Sequence, residues 1–379
     1  MQHGDSSRPL RVVQACDLQA GGITSLILSI CEEMDRDKVN FDYLVYRDQK
    51  EFGDERVKEL GGRKLIADNT DAANKIQKFL WKFFRTWKVL RKEKAEIFHV
   101  NGSTPYDCLI GLAARAAGTK TVILHSHNSH LKKDGAGHKM FQQLCRLCIV
   151  LCGDYYFACS DLAGSFMYGK RLQKKVVFVK NGICTQRFRF DGGERERLRR
   201  QYQAEDALVV GNIGRMCRQK NQFFLLEIFS RILNTCPEAR LLLIGQGELE
   251  EELLYRADIL GIKEQMIFIA STDRISGFLS MMDVFLLPSL FEGFPVVGVE
   301  AQASGLPCVF SDRITRQVSI TDRAYFLSLE RTAADWAAFA VHCAGKALEN
   351  RREYADRVRA AGYEIQDTAE WLQQFYLGL

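Results

Sequence analysis

The chain has 379 residues, 47% hydrophobic and 26% charged, the balance of a folded protein with more than one core. No apolar run reaches the ~18–20 residues of a membrane span, and residues 1–9 are polar, without the apolar centre of a secretion signal, so a cytoplasmic chain is expected. Up to Ile183 there are 29 Lys and Arg against 20 Asp and Glu, a net +9; the remainder has 23 against 27, a net −4, and the two make the overall +5. A basic first half points to an anionic partner, and nothing in the chain calls for nucleic acid. The cysteines are scattered through apolar stretches (Cys16, Cys31, Cys159, Cys308) and read as reduced core residues. Cys145, Cys148 and Cys152 share a helical face, but no histidine or carboxylate completes a zinc site at the usual spacing, so no metal is expected.

In chain order, LRVVQA (10–15) reads as the first strand. Gly21-Gly22 then opens a helical pattern over 22–35, where a glycine turn lets a ligand approach the backbone closely. The turn lacks the full G-x-G-x-x-G pattern of a dinucleotide site. After strand 41–46, residues 73–94 form an amphipathic pattern with Ile76, Phe79, Leu80, Phe83, Trp87 and Leu90 on one stripe. Lys75, Lys78, Lys82, Arg85, Lys88 and Arg91 surround that stripe and offer a positive surface to an anionic membrane or a lipid-diphosphate acceptor. Strands 97–100 and 121–126 follow, and His125, His127, Asn128 and His130 crowd the end of the second. Alternation puts His125 and His127 on one side of an extended segment. Strands 155–159 and 176–181 complete this part.

A polar, arginine-rich stretch over 184–206 interrupts the alternation, which resumes with strands 207–214, 240–247, 266–270, 284–289 and 306–311. The βαβ rhythm predicts two parallel sheets with helices on both faces. The expected division is 1–183, 184–351 and a helical tail, 352–379, returning to the first domain. Ligands bind at the carboxyl ends of such strands, so the expected site is a cleft that the two domains face.

Two segments of the second half carry chemistry. In PSLFEGFPVVGVEAQASGLP (288–307) a strand ends, a loop carries Glu292-Gly293-Phe294, and a helix begins with Pro295 in its first turn. The N–H groups of Gly293, Phe294, Val296 and Val297 would face an anion there. Glu300, one turn beyond Val296 on the same face, can accept two ribose hydroxyls, and Glu292 can accept from sugar hydroxyls. In GNIGRMCRQKN (211–221) Arg215 and Lys220 follow a strand closely, and two cations beside a helix start can neutralise a diphosphate without a metal.

Segment 288–307 resembles the E-x7-E signature of the family-4 retaining glycosyltransferases, with Glu292 and Glu300 as its carboxylates. GRMCRQKN is similar to that family's G-R-x(3–4)-K-N loop, DVFLLPSLFEGFP to its D-V-x-x-x-P-S-x-x-E-G stretch, and NGI (181–183) to the end of its first domain. The nearest resemblance is to bacterial transferases of exopolysaccharide and capsule assembly. It departs from the family at Pro295, where glycine is frequent, and at Ala270-Ser271, where a glycine usually stands near the base.

The resemblance implies a GT-B fold of two Rossmann-like domains and a nucleotide-sugar donor, UDP-linked. It further implies metal-independent transfer with retention to a glycan or lipid-linked acceptor, with no cofactor beyond the donor. It gives Arg215 and Lys220 the diphosphate, Glu300 the ribose and Glu292 the sugar. His127 takes the sugar from the first domain, and the Gly21-Gly22 loop lies beside the phosphates. The protein would work in the cytoplasm at the inner face of the membrane. Two other readings are a sugar-nucleotide-binding regulator without turnover and an epimerase of the same fold.

Overall fold

Runs rich in β-branched and aromatic residues form the central strands, which are largely buried on both faces, as a parallel sheet requires. The computed structural model describes residues 8–19, 21–68, 75–130, 136–345 and 350–379, with the side chains at 75, 76, 78, 136 and 138 also outside the description. Two units result: Met1–Gly182 with Ile365–Leu379, and Ile183–Glu364.

The first unit holds β1 (Leu10–Ala15), β2 (Val39–Val45), β3 (Lys64–Ile66), β4 (Ile97–Gly102), β5 (Thr121–Ser126), β6 (Tyr155–Ala158) and β7 (Val176–Phe178). They pair in parallel in the order β3-β2-β1-β4-β5-β6-β7. The second unit holds β8 (Val209–Ile213), β9 (Arg240–Ile244), β10 (Met266–Ile269), β11 (Val284–Leu287), β12 (Cys308–Ser311) and β13 (Ala324–Leu327), parallel in the order β10-β9-β8-β11-β12-β13. Both are Rossmann-like orders. Each reverses direction next to its first strand, between β1 and β4 and between β8 and β11, and loops at such a switch point open a crevice for ligand.

The sequence reading missed β3 and β13. Both are edge strands of three or four half-exposed residues, too short to show a period. The basic helix runs Lys75–Glu93. Leu90 and Thr86 are buried, with Thr86 bonded to the Tyr46 hydroxyl, but Leu80 is 45% exposed, so the predicted stripe does not pack along its whole length. The side chains of Ile76 in the predicted stripe and of Lys75 and Lys78 beside it lie outside the description.

The C-terminal helix Ile365–Leu377 joins the first unit: Ile365, Ala369, Leu372 and Tyr376 lie in one core with Val12, Ile27 and Phe41. Gln373 accepts the Asp35 N–H at 2.7 Å. Burying Ile365 and Leu372 at ~1.5–3 kcal/mol each is enough to hold the helix there. The chain crosses between units near 364, later than the expected 352. Residues 352–364 stay with the second unit because Tyr354, Ala355 and Val358 are buried there and Ile183 N–H bonds Tyr363 O at 2.9 Å.

Candidate active site

In the second unit the loops after β8 and β9 lie backbone on backbone. A Cβ on Gly245 would come 2.1 Å from Gly214 O, and one on Gly247 2.1 Å from Met216 O. Gly214 N–H and Met216 N–H bond Ile244 O and Gln246 O, both at 2.9 Å. The β8 loop is also tied to the loop after β11: Asn221 donates to Pro288 O at 3.0 Å, and Leu290 N–H to Gln219 O at 2.8 Å. The two loops of the switch point are therefore one braced unit.

This bracing brings Lys220 and Glu292 together, Nζ to Oε1 2.7 Å, with side chains only 15% and 8% exposed. Gln219 Nε2 donates to the other oxygen of Glu292 at 3.2 Å. Two residues expected to meet different parts of a ligand are each other's partner. Nearby, the Ser289 hydroxyl is buried without a hydrogen-bond partner among the described residues. Arg215 lies apart from this pair in character: it is 60% exposed and pairs with Glu248 at 3.0 Å. A surface pair of that kind contributes ~0–1 kcal/mol, so an anionic ligand can take Arg215 from Glu248 at little cost.

The helix after Glu292 is Val296–Ala303. Pro295 is its cap (φ −76°, ψ 101°) and not part of its first turn as the sequence reading had it; the extended ψ places the ring just outside the helix. No side chain caps this start, so the N–H groups of Val296 and Val297 have no capping oxygen, while Gly298 N–H turns back to Pro295 O at 2.9 Å. Gly293 and Phe294 are buried, and the Phe294 ring stacks on Tyr363 with centroids 5.6 Å apart. Glu300 is half-buried, and desolvation pushes its carboxyl up to about 7, with Arg187 pulling weakly the other way. A carboxyl poised there is stabilised as the anion by any hydroxyls that donate to it.

In the first unit Gly21 caps the helix Gly22–Glu33 in an extended conformation (φ 172°, ψ 161°) that any residue can adopt. A Cβ on Gly22 would meet nothing within 4 Å. These glycines supply open space beyond β1, not a special backbone angle. His127 stands just beyond β5; its N–H bonds Gly102 O at 3.1 Å and its Nε2 lies 3.0 Å from Asn101 Oδ1. Its ring packs on that of His125, centroids 4.1 Å apart. His125 Nδ1 is 3.3 Å from His99 Nε2, whose Nδ1 is 2.6 Å from the Tyr376 hydroxyl. Burial holds all three imidazoles neutral: His127 is pushed down to about 4, His99 to about 3, and His125 well below its ordinary value, the last two also by neighbouring histidines. His130 is exposed.

Gln14, His99, Asn101, Gln219 and Tyr376 were not singled out from the sequence. Gln14, His99, Asn101 and Tyr376 are far apart along the chain, and only the pairing of β1, β4 and β5 with the returning helix assembles them, while Gln219 reaches Glu292 through the bracing of the β8 and β11 loops. The cysteines are free thiols, Cys145 and Cys152 buried and Cys148 exposed, and no metal-holding cluster occurs among the described residues. No described helix is long and apolar enough to cross a membrane.

Comparison with known proteins agrees with this architecture. The family described as Glycosyltransferase Family 4 matches residues 20–187, and Glycosyl transferases group 1 matches residues 194–364. A putative glycosyltransferase of Bacillus subtilis, EpsF, is 31% identical over 95% of this chain and 94% of its own. The UDP-Gal:alpha-D-GlcNAc-diphosphoundecaprenol alpha-1,3-galactosyltransferase of Escherichia coli is 27% identical over 60% of each chain. Among solved structures, Anabaena HepE in complex with UDP and glucose superposes with a TM-score of 0.77 at 14% identity, over 98% of this chain and 100% of that one, a likeness of fold. With two Rossmann-like sheets, the braced loops at the second switch point and a full-length relative at 31% identity, the chain belongs to the glycosyltransferases of GT-B fold, family 4 in its first part and group 1 in its second.

Proposed function

We propose that this protein transfers a hexosyl or N-acetylhexosaminyl group from a UDP-sugar to a glycan or lipid-linked acceptor in cell-surface polysaccharide synthesis, with retention and without a metal. The observation that carries the reading is the Lys220–Glu292 pair, braced by Gln219 beside the uncapped start of Val296–Ala303. A diphosphate arriving there takes the charge of Lys220 and the helix N–H groups, with Arg215 released from Glu248. Glu292, freed from its lysine, accepts from sugar hydroxyls, and Glu300 accepts from the ribose. The acceptor hydroxyl attacks from the side of the leaving group, so no protein nucleophile is required, and electrostatic stabilisation of the departing diphosphate carries most of the acceleration. The complexes of HepE with UDP-glucose and with UDP support the choice of base. Neither the regulator nor the epimerase reading has an observation in its favour.

Transfer or hydrolysis of UDP-glucose, UDP-galactose and UDP-N-acetylglucosamine by purified protein tests the reading. Lys220→Ala and Arg215→Ala should each lower turnover by about two to three powers of ten, and chelator should leave it unchanged. No turnover of any of the three, or full loss in chelator, overturns it.

The lipid-linked acceptor would be met at an anionic membrane. Lys170, Arg171, Lys174 and Lys175 are all exposed, and Met140, Leu144, Leu147 and Leu151 present exposed apolar side chains on the same unit. Each base adds about 1 kcal/mol near such a surface, within a Debye length of ~8 Å. The protein should sediment with vesicles rich in phosphatidylglycerol at low salt and be released by high salt; no sedimentation at low salt removes the membrane from the reading.

A further inference from the structure

Six side chains of the first unit form an unbroken chain of hydrogen bonds. His127 Nε2 lies 3.0 Å from Asn101 Oδ1, Asn101 Nδ2 2.9 Å from Gln14 Oε1, and Gln14 Nε2 3.3 Å from Tyr376 Oη. Tyr376 Oη lies 2.6 Å from His99 Nδ1, and His99 Nε2 3.3 Å from His125 Nδ1. The chain thus begins and ends on two rings packed 4.1 Å apart. Its two terminal atoms, Nδ1 of His127 and Nε2 of His125, are buried and have no hydrogen-bond partner among the described residues. His125 as a whole is 4% exposed.

Every member passes polarity on. A neutral imidazole has one N–H and one lone pair, each amide one donor end and one acceptor end, and the tyrosine a single proton. If His127 donates from Nε2, then Asn101, Gln14, Tyr376 and His99 donate in turn. His127 is left with a bare Nδ1 and His125 with an Nε2–H. If both amides are turned over, every bond reverses: His127 then offers Nδ1–H and His125 a bare Nε2. In either sense the ends are one donor and one acceptor, and the three histidines share one tautomer. Breaking the sequence at Tyr376 by having both neighbours donate to it would strand its own proton, at about 1–3 kcal/mol for an unsatisfied buried group.

We infer that this chain is built to read a single hydroxyl group, offering it one donor and one acceptor, and that Tyr376 on the C-terminal helix is the positioning residue that keeps the two ends of opposite kind. A hydroxyl is a neutral group that donates and accepts through a single oxygen, as two ends on rings packed 4.1 Å apart call for. A sugar hydroxyl and an ordered water share that chemistry, and the inference commits to the sugar; it rests on the reading that His127 meets the donor. It also gives the return of the last helix to the first unit a part in the site beyond core packing.

Nitrogen-15 correlation spectra of the histidine side chains in the full chain at pH 7.5 test it. His99, His125 and His127 should show one common tautomer. Tyr376→Phe keeps the ring packed against Phe41 and Phe375 but cuts the chain, and it should shift the nitrogens of His127, which Tyr376 does not hydrogen-bond. Gln14→Leu cuts the chain without altering that helix and should do the same. Unlike tautomers on His125 and His127, or a His127 indifferent to both cuts, overturns the inference. UDP-glucose, UDP-galactose, UDP-N-acetylglucosamine and GDP-mannose are then compared with UDP alone. At least one nucleotide sugar should shift the terminal nitrogens of both rings, and UDP should not. Binding of a nucleotide sugar by calorimetry with no such shift leaves water as the occupant and overturns the sugar assignment. Full transfer activity in His127→Ala would instead strike the functional reading of His127, with the tautomer result standing.

Discussion

Each unit buries a cluster of polar side chains, and the two are built on opposite plans. In the second unit Arg195, Arg199 and Arg351 converge on the segment 279–283. Arg351 donates to Ser304 O (2.9 Å), Met282 O (2.9 Å) and Leu279 O (3.0 Å) and lies over the Phe190 ring. Arg195 donates to Ser280 O, Met281 O and Met282 O, and both Arg195 and Arg199 pair with Asp283. The carbonyls are those at the ends of the helices Ile275–Met281 and Val296–Ala303, where the backbone dipole favours a cation. In the first unit the histidine chain is neutral and leaves two buried nitrogens open. A satisfied cluster holds a fold together, whereas an unsatisfied one keeps hydrogen-bonding capacity for something that arrives.

The comparison breaks if the arginine cluster proves dispensable. Arg351→Met removes the donor to Ser304 O and Leu279 O at about 1–3 kcal/mol each, while Met282 O keeps Arg195. Urea unfolding should show a loss of at least about 2 kcal/mol, with the histidine spectra unchanged. A stability close to wild type would mean that water replaces the guanidinium and that the cluster is not structural.

The histidine chain predicts a pH dependence of opposite origin. The folded values of His99 and His127, about 3 and about 4, lie below the ordinary 6.5. The unfolded chain therefore binds more protons between those values, and stability rises with pH across that window. It is fully present above 6.5 and is lost as pH falls through the folded values, by up to about 1.4 kcal/mol per pH unit for each group. Unfolding at pH 4.5, 5.5, 6.5 and 7.5 should show that slope, and His99→Gln should make it shallower. An unaltered slope in that variant would remove His99 as its source.

The smallest expected effect belongs to Glu300, a half-buried acid of the second unit that sides with the histidines. Its value is raised from 4.5 to about 7. The unfolded chain releases the proton first, so stability declines as pH rises through that interval. Glu300→Gln should raise the thermal midpoint at pH 8, leave it unchanged at pH 4, and weaken UDP binding in calorimetry. A lowered midpoint at pH 8 would place Glu300 among the structural charges instead.

Much of the fold was legible. The fully apolar run of β11, the fully buried β2 and the glycines after β1 and β8 carry their own periods and punctuation, because strand and turn preferences are local. The edge strands β3 and β13 were not legible, being short and half-exposed. Of the site, Glu292, Lys220 and Glu300 stood out by spacing within one loop or helix turn. That Lys220 turns to Glu292 while Arg215 turns to Glu248 depends on the β8, β9 and β11 loops being braced together.

What the sequence by itself determined is most of the local elements, their parallel arrangement and the two loops that carry Arg215, Lys220 and Glu292. All of these follow from periodicity and residue type over a few neighbours. What only the tertiary structure decided is which polar groups meet. Gln14 and Tyr376 are 362 positions apart and His99 and Tyr376 are 277 apart. Hydrogen bonds are short and directional, so a chain of them forms only where the sheet register and the docked last helix place each donor within about 3 Å of its acceptor.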